Sequence, residues 1–136
     1  MNVRSVLLRL GMVGSFMILA TDIPLAQTSQ VTRTELQRVG ISDFAGHEGV
    51  LYKGTIVPGG KAPKHMHPGD EFLYVMKGTL IVEAEGKAPV TLNAGDSLYQ
   101  MKGMAHEARN GSTTEPVEII VFLVIEAGKP LATMVE

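Results

Sequence analysis

Over residues 79–85 the chain alternates, with Leu80, Val82 and Ala84 on one side and Ile81, Glu83 and Glu85 on the other. This two-residue period is that of a strand with one face toward a core. Short β-like runs recur at 50–57, 64–67, 71–77, 90–92, 97–100, 106–110 and 117–125. The punctuation between them is regular: Pro58-Gly59-Gly60, Pro68-Gly69, Lys77-Gly78, Glu85-Gly86-Lys87, Asn93-Ala94-Gly95-Asp96, Lys102-Gly103 and Asn110-Gly111. Gly and Asn supply the positive φ that tight turns demand. About eight strands at this spacing predict an all-β sandwich or small closed barrel. Residues 27–47 carry a weaker pattern. Thr32-Arg33-Thr34-Glu35 ahead of Leu36 fits a helix capping box, and an N-terminal strand fits the same residues equally.

The start of the chain differs in kind. Met1 to Arg9 brings two arginines and no acid, Leu10 to Ala20 is almost wholly apolar, and Pro24-Leu25-Ala26-Gln27 follows. A basic start, an apolar stretch and a small-residue exit describe a secretory signal peptide over residues 1–26, with cleavage after Ala26 and Ala20 as the other candidate. An uncleaved membrane anchor is the alternative, although the apolar run falls short of the ~20 residues of a spanning helix. The expected organisation is a signal peptide at 1–26, a short strand or helix within 27–47 and a β-barrel domain at 48–136. The mature protein is then secreted, and periplasmic in a Gram-negative source, with no membrane attachment once the leader is removed.

With 136 residues there is room for one core and not for two domains. The formal net charge is −2, and removing Arg4, Arg9 and Asp22 with the leader makes it −3. A mildly acidic small protein has no basic footprint with which to displace counterions from nucleic acid, so no nucleic-acid partner is expected. The absence of Cys excludes disulfide scaffolds, thiolate nucleophiles and cysteine-ligated zinc. Any metal chemistry therefore falls to His and carboxylates.

Three of the four histidines form one arrangement. His65 and His67 are two apart on a predicted strand, so both rings project from one face, ~6.6 Å apart along the chain. Tilting inward, the pair can reach the ~2.0–2.1 Å that a transition metal requires. Glu71 shares their parity, but four extended residues would carry it about 13 Å further, so it joins the same ion only if Pro68-Gly69 bends the chain. His106 opens a later strand, which in a barrel can lie beside the first. A lone His such as His47 reads as a surface residue. The combination of H-x-H, a carboxylate beyond a bend and a later His reads as a metal site, because buried imidazoles without a metal would each need another partner.

These residues resemble the two cupin motifs. The first, G-x5-H-x-H-x3-E-x6-G, is filled at every fixed position by Gly59, His65, His67, Glu71 and Gly78. The second, G-x5-P-x-G-x2-H-x3-N, is filled by Gly95, Gly103, His106 and Asn110, with Met101 where the family has Pro. The motifs span residues 59–110 and are separated by 16 residues. The resemblance implies a single cupin jelly-roll β-barrel holding one divalent transition metal ion (Fe, Mn, Ni, Cu or Zn), with His65, His67, Glu71 and His106 as its ligands. It also implies a homodimer, for which the segment 31–39 and the apolar strand 117–125 are the expected contacts.

Cupins with this ligand set are diverse. The leading expectation is a mononuclear metal-dependent oxidoreductase, dioxygenase-like, acting on a small enolisable, phenolic or acidic molecule. Glu71 would take the substrate proton, and Leu73, Val75, Met104 and Phe122 would line the pocket. The alternatives are a non-catalytic metal or small-ligand binder, and a metal-dependent isomerase or lyase, which would need a further inward-facing acid or base. Tyr99, Gln100 and Glu107 lie near the second motif but read as surface or packing residues. Met66, Met76, Met101 and Met104 surround the motifs, and copper-binding thioethers are a minor reading of them.

Overall fold

The computed structural model describes residues 29–136, so the signal peptide expected at 1–26 lies outside the described residues. Ten strands make up the fold: β1 (Val31–Gly40), β2 (His47–Ile56), β3 (Lys61–Met66), β4 (Asp70–Lys77), β5 (Thr79–Ala84), β6 (Val90–Asn93), β7 (Ser97–Gln100), β8 (His106–Asn110), β9 (Val117–Glu126) and β10 (Thr133–Met134). They form two five-stranded antiparallel sheets, ordered β1-β2-β9-β4-β7 and β10-β3-β8-β5-β6. The two sheets enclose one hydrophobic core in the manner of a jelly roll. Among the described residues no helix is long and apolar enough to cross a membrane.

Burial along each strand follows the pleat. In β9, Val117, Val121, Leu123 and Ile125 are fully buried while Phe122 between them is exposed. Leu80 and Val82 of β5 point into the same core, the face that their alternation assigns to them. β9 runs between β2 and β4, so both of its edges are already hydrogen-bonded. The expected contact of 117–125 with a second copy is therefore restricted to its outward side chains, whereas β1 lies at the edge of its sheet.

Residues 31–40 form a strand, the extended one of the two forms open to the N-terminal segment. Nearly all of β1 is exposed, and it is held by its register with β2, from Val31 opposite Ile56 to Gly40 opposite Glu48. That long-range pairing, rather than any local preference, decides against the capping box.

Two local devices place the residues of the centre. In β3, Ala62 pairs with Ala108 and His65 with His106, so three steps on one strand match two on the other. The extra residue reverses the alternation and turns His65 inward where Lys64 would otherwise face the core. The second device is Gly69. The bend at Pro68-Gly69 was expected to use the dihedral freedom of glycine, but Gly69 is not among the glycines with positive φ. What it supplies is clearance, since a Cβ there would overlap the carbonyl oxygen of Val124 and lie 2.9 Å from Ile125 Cγ2.

Candidate metal centre

Each sheet contributes one cross-strand pair to the site. His65 and His106 face each other across β3 and β8, and Glu71 and Gln100 across β4 and β7. His67 follows β3 on the connection that crosses from one sheet to the other. All five side chains are buried. Ring centroids are 4.3 Å apart for His65 and His106, 5.0 Å for His65 and His67, and 5.3 Å for His67 and His106. One ligating nitrogen from each of the three histidines lies within 4.8 Å of the other two.

Backbone carbonyls fix how the rings present themselves. Nδ1–H of His65 donates to Pro63 O at 2.6 Å, that of His67 to Leu131 O at 2.6 Å and that of His106 to Met104 O at 3.1 Å. A carbonyl can only accept, so each bond places the proton on Nδ1 and leaves the lone pair on Nε2. This is the outer-partner arrangement found behind metal-bound histidines. Burial lowers the basicity of all three rings, and the hydrogen bonds to Pro63, Leu131 and Met104 oppose it only in part. The rings are therefore held neutral, as ligands must be.

Glu71 completes the cluster. Its Oε1 is 3.5 Å from His67 Nε2 and its Oε2 is 3.6 Å from His106 Nε2. Burial drives its carboxyl well up from the ordinary carboxylate range, while His106 and the Gln100 amide pull it back. Gln100 Nε2–H donates to Glu71 Oε2 at 2.8 Å. Two buried polar atoms have no hydrogen-bond partner among the described residues, His67 Nε2 and Gln100 Oε1. A buried, inward-facing nitrogen lone pair without a donor suits a Lewis acid, and three neutral imidazoles beside a carboxylate are a donor set suited to a divalent transition ion. The residues present fit such an ion.

The cavity beside the cluster is small, about 30 Å³, room for about one water. His65, Glu71, Gln100 and His106 line it together with Tyr52 and Leu73. Of the apolar residues expected there, Leu73 is in place and Val75 belongs to the core. Phe122 is on the outer surface near Phe72, because the parity of β9 sends it away from the barrel interior. Gln100, read from sequence as a surface or packing residue, orients Glu71. Tyr99 is exposed and donates to Asp70 Oδ1, while Glu107 pairs with Lys61. Met66, Met76 and Met101 are exposed, and the half-buried Met104 does not line the cavity, which removes support for thioether ligation. Asn110 is structural: its amide donates to Val57 O and Glu115 O, and its Oδ1 accepts from Ser112 N–H. The turn at Met101 closes without proline, Gly103 N–H donating to His67 O at 3.0 Å.

The cupin domain family matches the chain over residues 53–125. Solved structures resemble the fold at low identity. A cupin-like protein from Thermotoga maritima has a TM-score of 0.62 at 21% identity, covering 77% of this chain and 75% of that one. The DMSP lyase DddQ from Ruegeria pomeroyi has a TM-score of 0.56 at 22% identity, covering 63% of this chain and 42% of that one. An oxalate oxidase in complex with the substrate analogue glycolate has a TM-score of 0.62 at 22% identity, covering 81% of this chain and 57% of that one. The present chain thus corresponds to about half the length of each of these two enzymes. No curated protein sequence matches it.

Proposed function

The chain belongs to the cupin family, and from that premise we propose that it is a mononuclear metal-dependent oxidoreductase, dioxygenase-like, acting on a small enolisable, phenolic or acidic molecule. The observation that carries this reading is the set of three Nδ1–H bonds to backbone carbonyls, which leaves three Nε2 atoms facing inward beside Glu71. His65, His67 and His106 would hold the ion, with Glu71 as fourth ligand. When bound, a divalent ion would supply Lewis acidity toward a substrate oxygen.

The remaining work falls to the chain's own groups. Gln100 donates to Glu71 Oε2 and so orients the carboxylate that would take the substrate proton. Leu73 and the surrounding core keep bulk water from the cavity. An oxalate oxidase and DMSP lyases among the structural neighbours support catalysis on small acids in this fold.

A second reading, a lyase, is favoured by Tyr52, a buried phenol that lines the same cavity and gives it a further acid or base. Oxygen uptake measured beside substrate loss, on metal-reconstituted protein with diketone, phenol and hydroxy-acid panels, separates the readings. Oxygen consumed in proportion to substrate supports the oxidoreductase. In that case Glu71→Gln should retain bound metal yet lose about 10²- to 10⁴-fold in kcat, the typical worth of general-base catalysis. Substrate loss without oxygen uptake would replace it with the lyase. Full metal occupancy with no turnover of any panel member would leave a binding protein.

A further inference from the structure

Arg33 has a position that neither its sequence context nor the metal centre explains. On β1 it pairs with Gly54 of β2, and the neighbouring pair on the same face is Val31 with Ile56. Ile56 and Tyr52 point into the core, so Arg33 belongs to the inward face of its strand even though it is exposed. Opposite it stands a residue without a side chain. A Cβ on Gly54 would lie 2.9 Å from Ile119 Cγ1, so glycine here makes room for Ile119 and puts no side chain of its own opposite Arg33.

From the edge strand Arg33 borders two spaces. Arg33 lines the inner cavity together with His65, Glu71, Gln100 and His106. It also lines the outer cleft of about 520 Å³, with Lys61, Pro63 and Met134. Among the described residues only Val31, Arg33 and His65 border both spaces, which places Arg33 at the passage between them. Among the described residues Arg38 and Arg109 each pair with glutamates, whereas Arg33 has no carboxylate within 4.0 Å. Its charge nevertheless acts on the site. Tyr52 on the wall of the inner cavity has its phenol pushed up mainly by burial, and the Arg33 guanidinium draws it back, which puts that charge close to the cavity.

A permanently charged planar fork without a counter-ion, at the only charged point of that passage, matches a carboxylate in shape and sign. We infer that Arg33 is the anchor for the carboxylate of a small anionic substrate, holding it at the passage with its reactive end toward the histidine cluster. The inference rests on the proposed function for what happens at that reactive end, and it narrows the candidate substrates from enolisable, phenolic or acidic molecules to carboxylic acids. Lys61 is less suited to the same role, because it is engaged by Glu107 at 3.0 Å.

The test is calorimetric titration of the full chain with glycolate, benzoate and the neutral isostere glycolamide, each on metal-free and Mn²⁺-loaded protein, for wild type, Arg33→Gln and Arg33→Lys. Wild type is expected to bind the carboxylates more tightly than glycolamide. Arg33→Gln should weaken them about 10- to 100-fold, the worth of a charge-assisted bidentate pair, and leave glycolamide unchanged. Arg33→Lys should fall between the two. Because Arg33 is exposed on an edge strand, melting temperature and metal content should not change. Carboxylate binding equal in wild type and Arg33→Gln, or absent from wild type in both forms, overturns the anchor while leaving the metal centre standing. If no variant loads metal, the metal centre falls instead, and the metal-free titrations alone decide: Arg33-dependent carboxylate binding upholds the anchor, and Arg33-independent or absent binding overturns it.

Discussion

Gly69→Ala is expected to destabilise the protein by at least about 3 kcal/mol, the upper part of the range for forced overpacking. A domain of this size would then melt on the order of 10–20 °C lower. The new methyl group would occupy the space of the Val124 carbonyl oxygen and press on Val124 C at 2.7 Å. Backbone cannot yield as the end of a flexible side chain does, and β9 is pinned on both sides by β2 and β4. Relief must come from Pro68 and from Asp70 at the start of β4, which displaces His67 on one side and Glu71 on the other. The variant should therefore lose metal affinity as well as stability. Thermal unfolding followed by circular dichroism, with and without added Mn²⁺, checks both effects. A melting temperature within about 2 °C of wild type would show that the bend is looser than the structure makes it.

The second large effect concerns the ion itself. A ligand that binds only the folded chain adds stability by mass action, about 4 kcal/mol at a concentration of a thousand times Kd. Wild-type protein stripped with a chelator should regain a correspondingly higher Tm when a divalent transition ion is restored. The double variant His65→Ala/His106→Ala removes both imidazoles of the β3–β8 pair and should show no such rise. Its affinity should fall by more than the roughly 10- to 100-fold that loss of an outer partner costs. Glu71 and His67 remain in the variant, so residual weak binding is expected and a saturable stoichiometric site is not. An equal Tm rise in both proteins would place the ion somewhere other than the histidine cluster.

The parts of the molecule differ in how plainly the residues announce them. β7 and β8 are observed over the residues read from sequence, 97–100 and 106–110, because turn residues bracket both: Gly95-Asp96 precedes β7, Lys102-Gly103 separates the two and Asn110-Gly111 ends β8. β1 was undecided for a physical reason. With nearly every position exposed it has no apolar face to declare a period, and only pairing with β2 selects the strand. The histidines were legible because their spacing carries the geometry: His65 and His67 project together, and the strand of His106 does lie beside that of His65. Gln100 was not, since its partner Glu71 is 29 positions away and meets it only through the β4–β7 register. The bulge between Ala62 and His65 was hidden for the same reason, as an extra residue is defined only against a partner strand. Phe122 was misplaced because 117–125 is apolar on both faces, and a central strand gives no alternation from which to choose the inward side. Arg33 left no signal at all, because its place beside the cavity is set only by the β1–β2 register.

The most direct test of the central claim is elemental analysis of wild-type protein purified without chelator or metal-affinity steps, set beside the His65→Ala/His106→Ala variant prepared in the same way. The expected result is close to one equivalent of Fe, Mn, Ni, Cu or Zn per chain in wild type and a near-complete loss in the variant. Metal below about a tenth of an equivalent in both proteins, not restored by adding divalent ions, would contradict it and leave the three inward-facing nitrogens without a ligand to explain them.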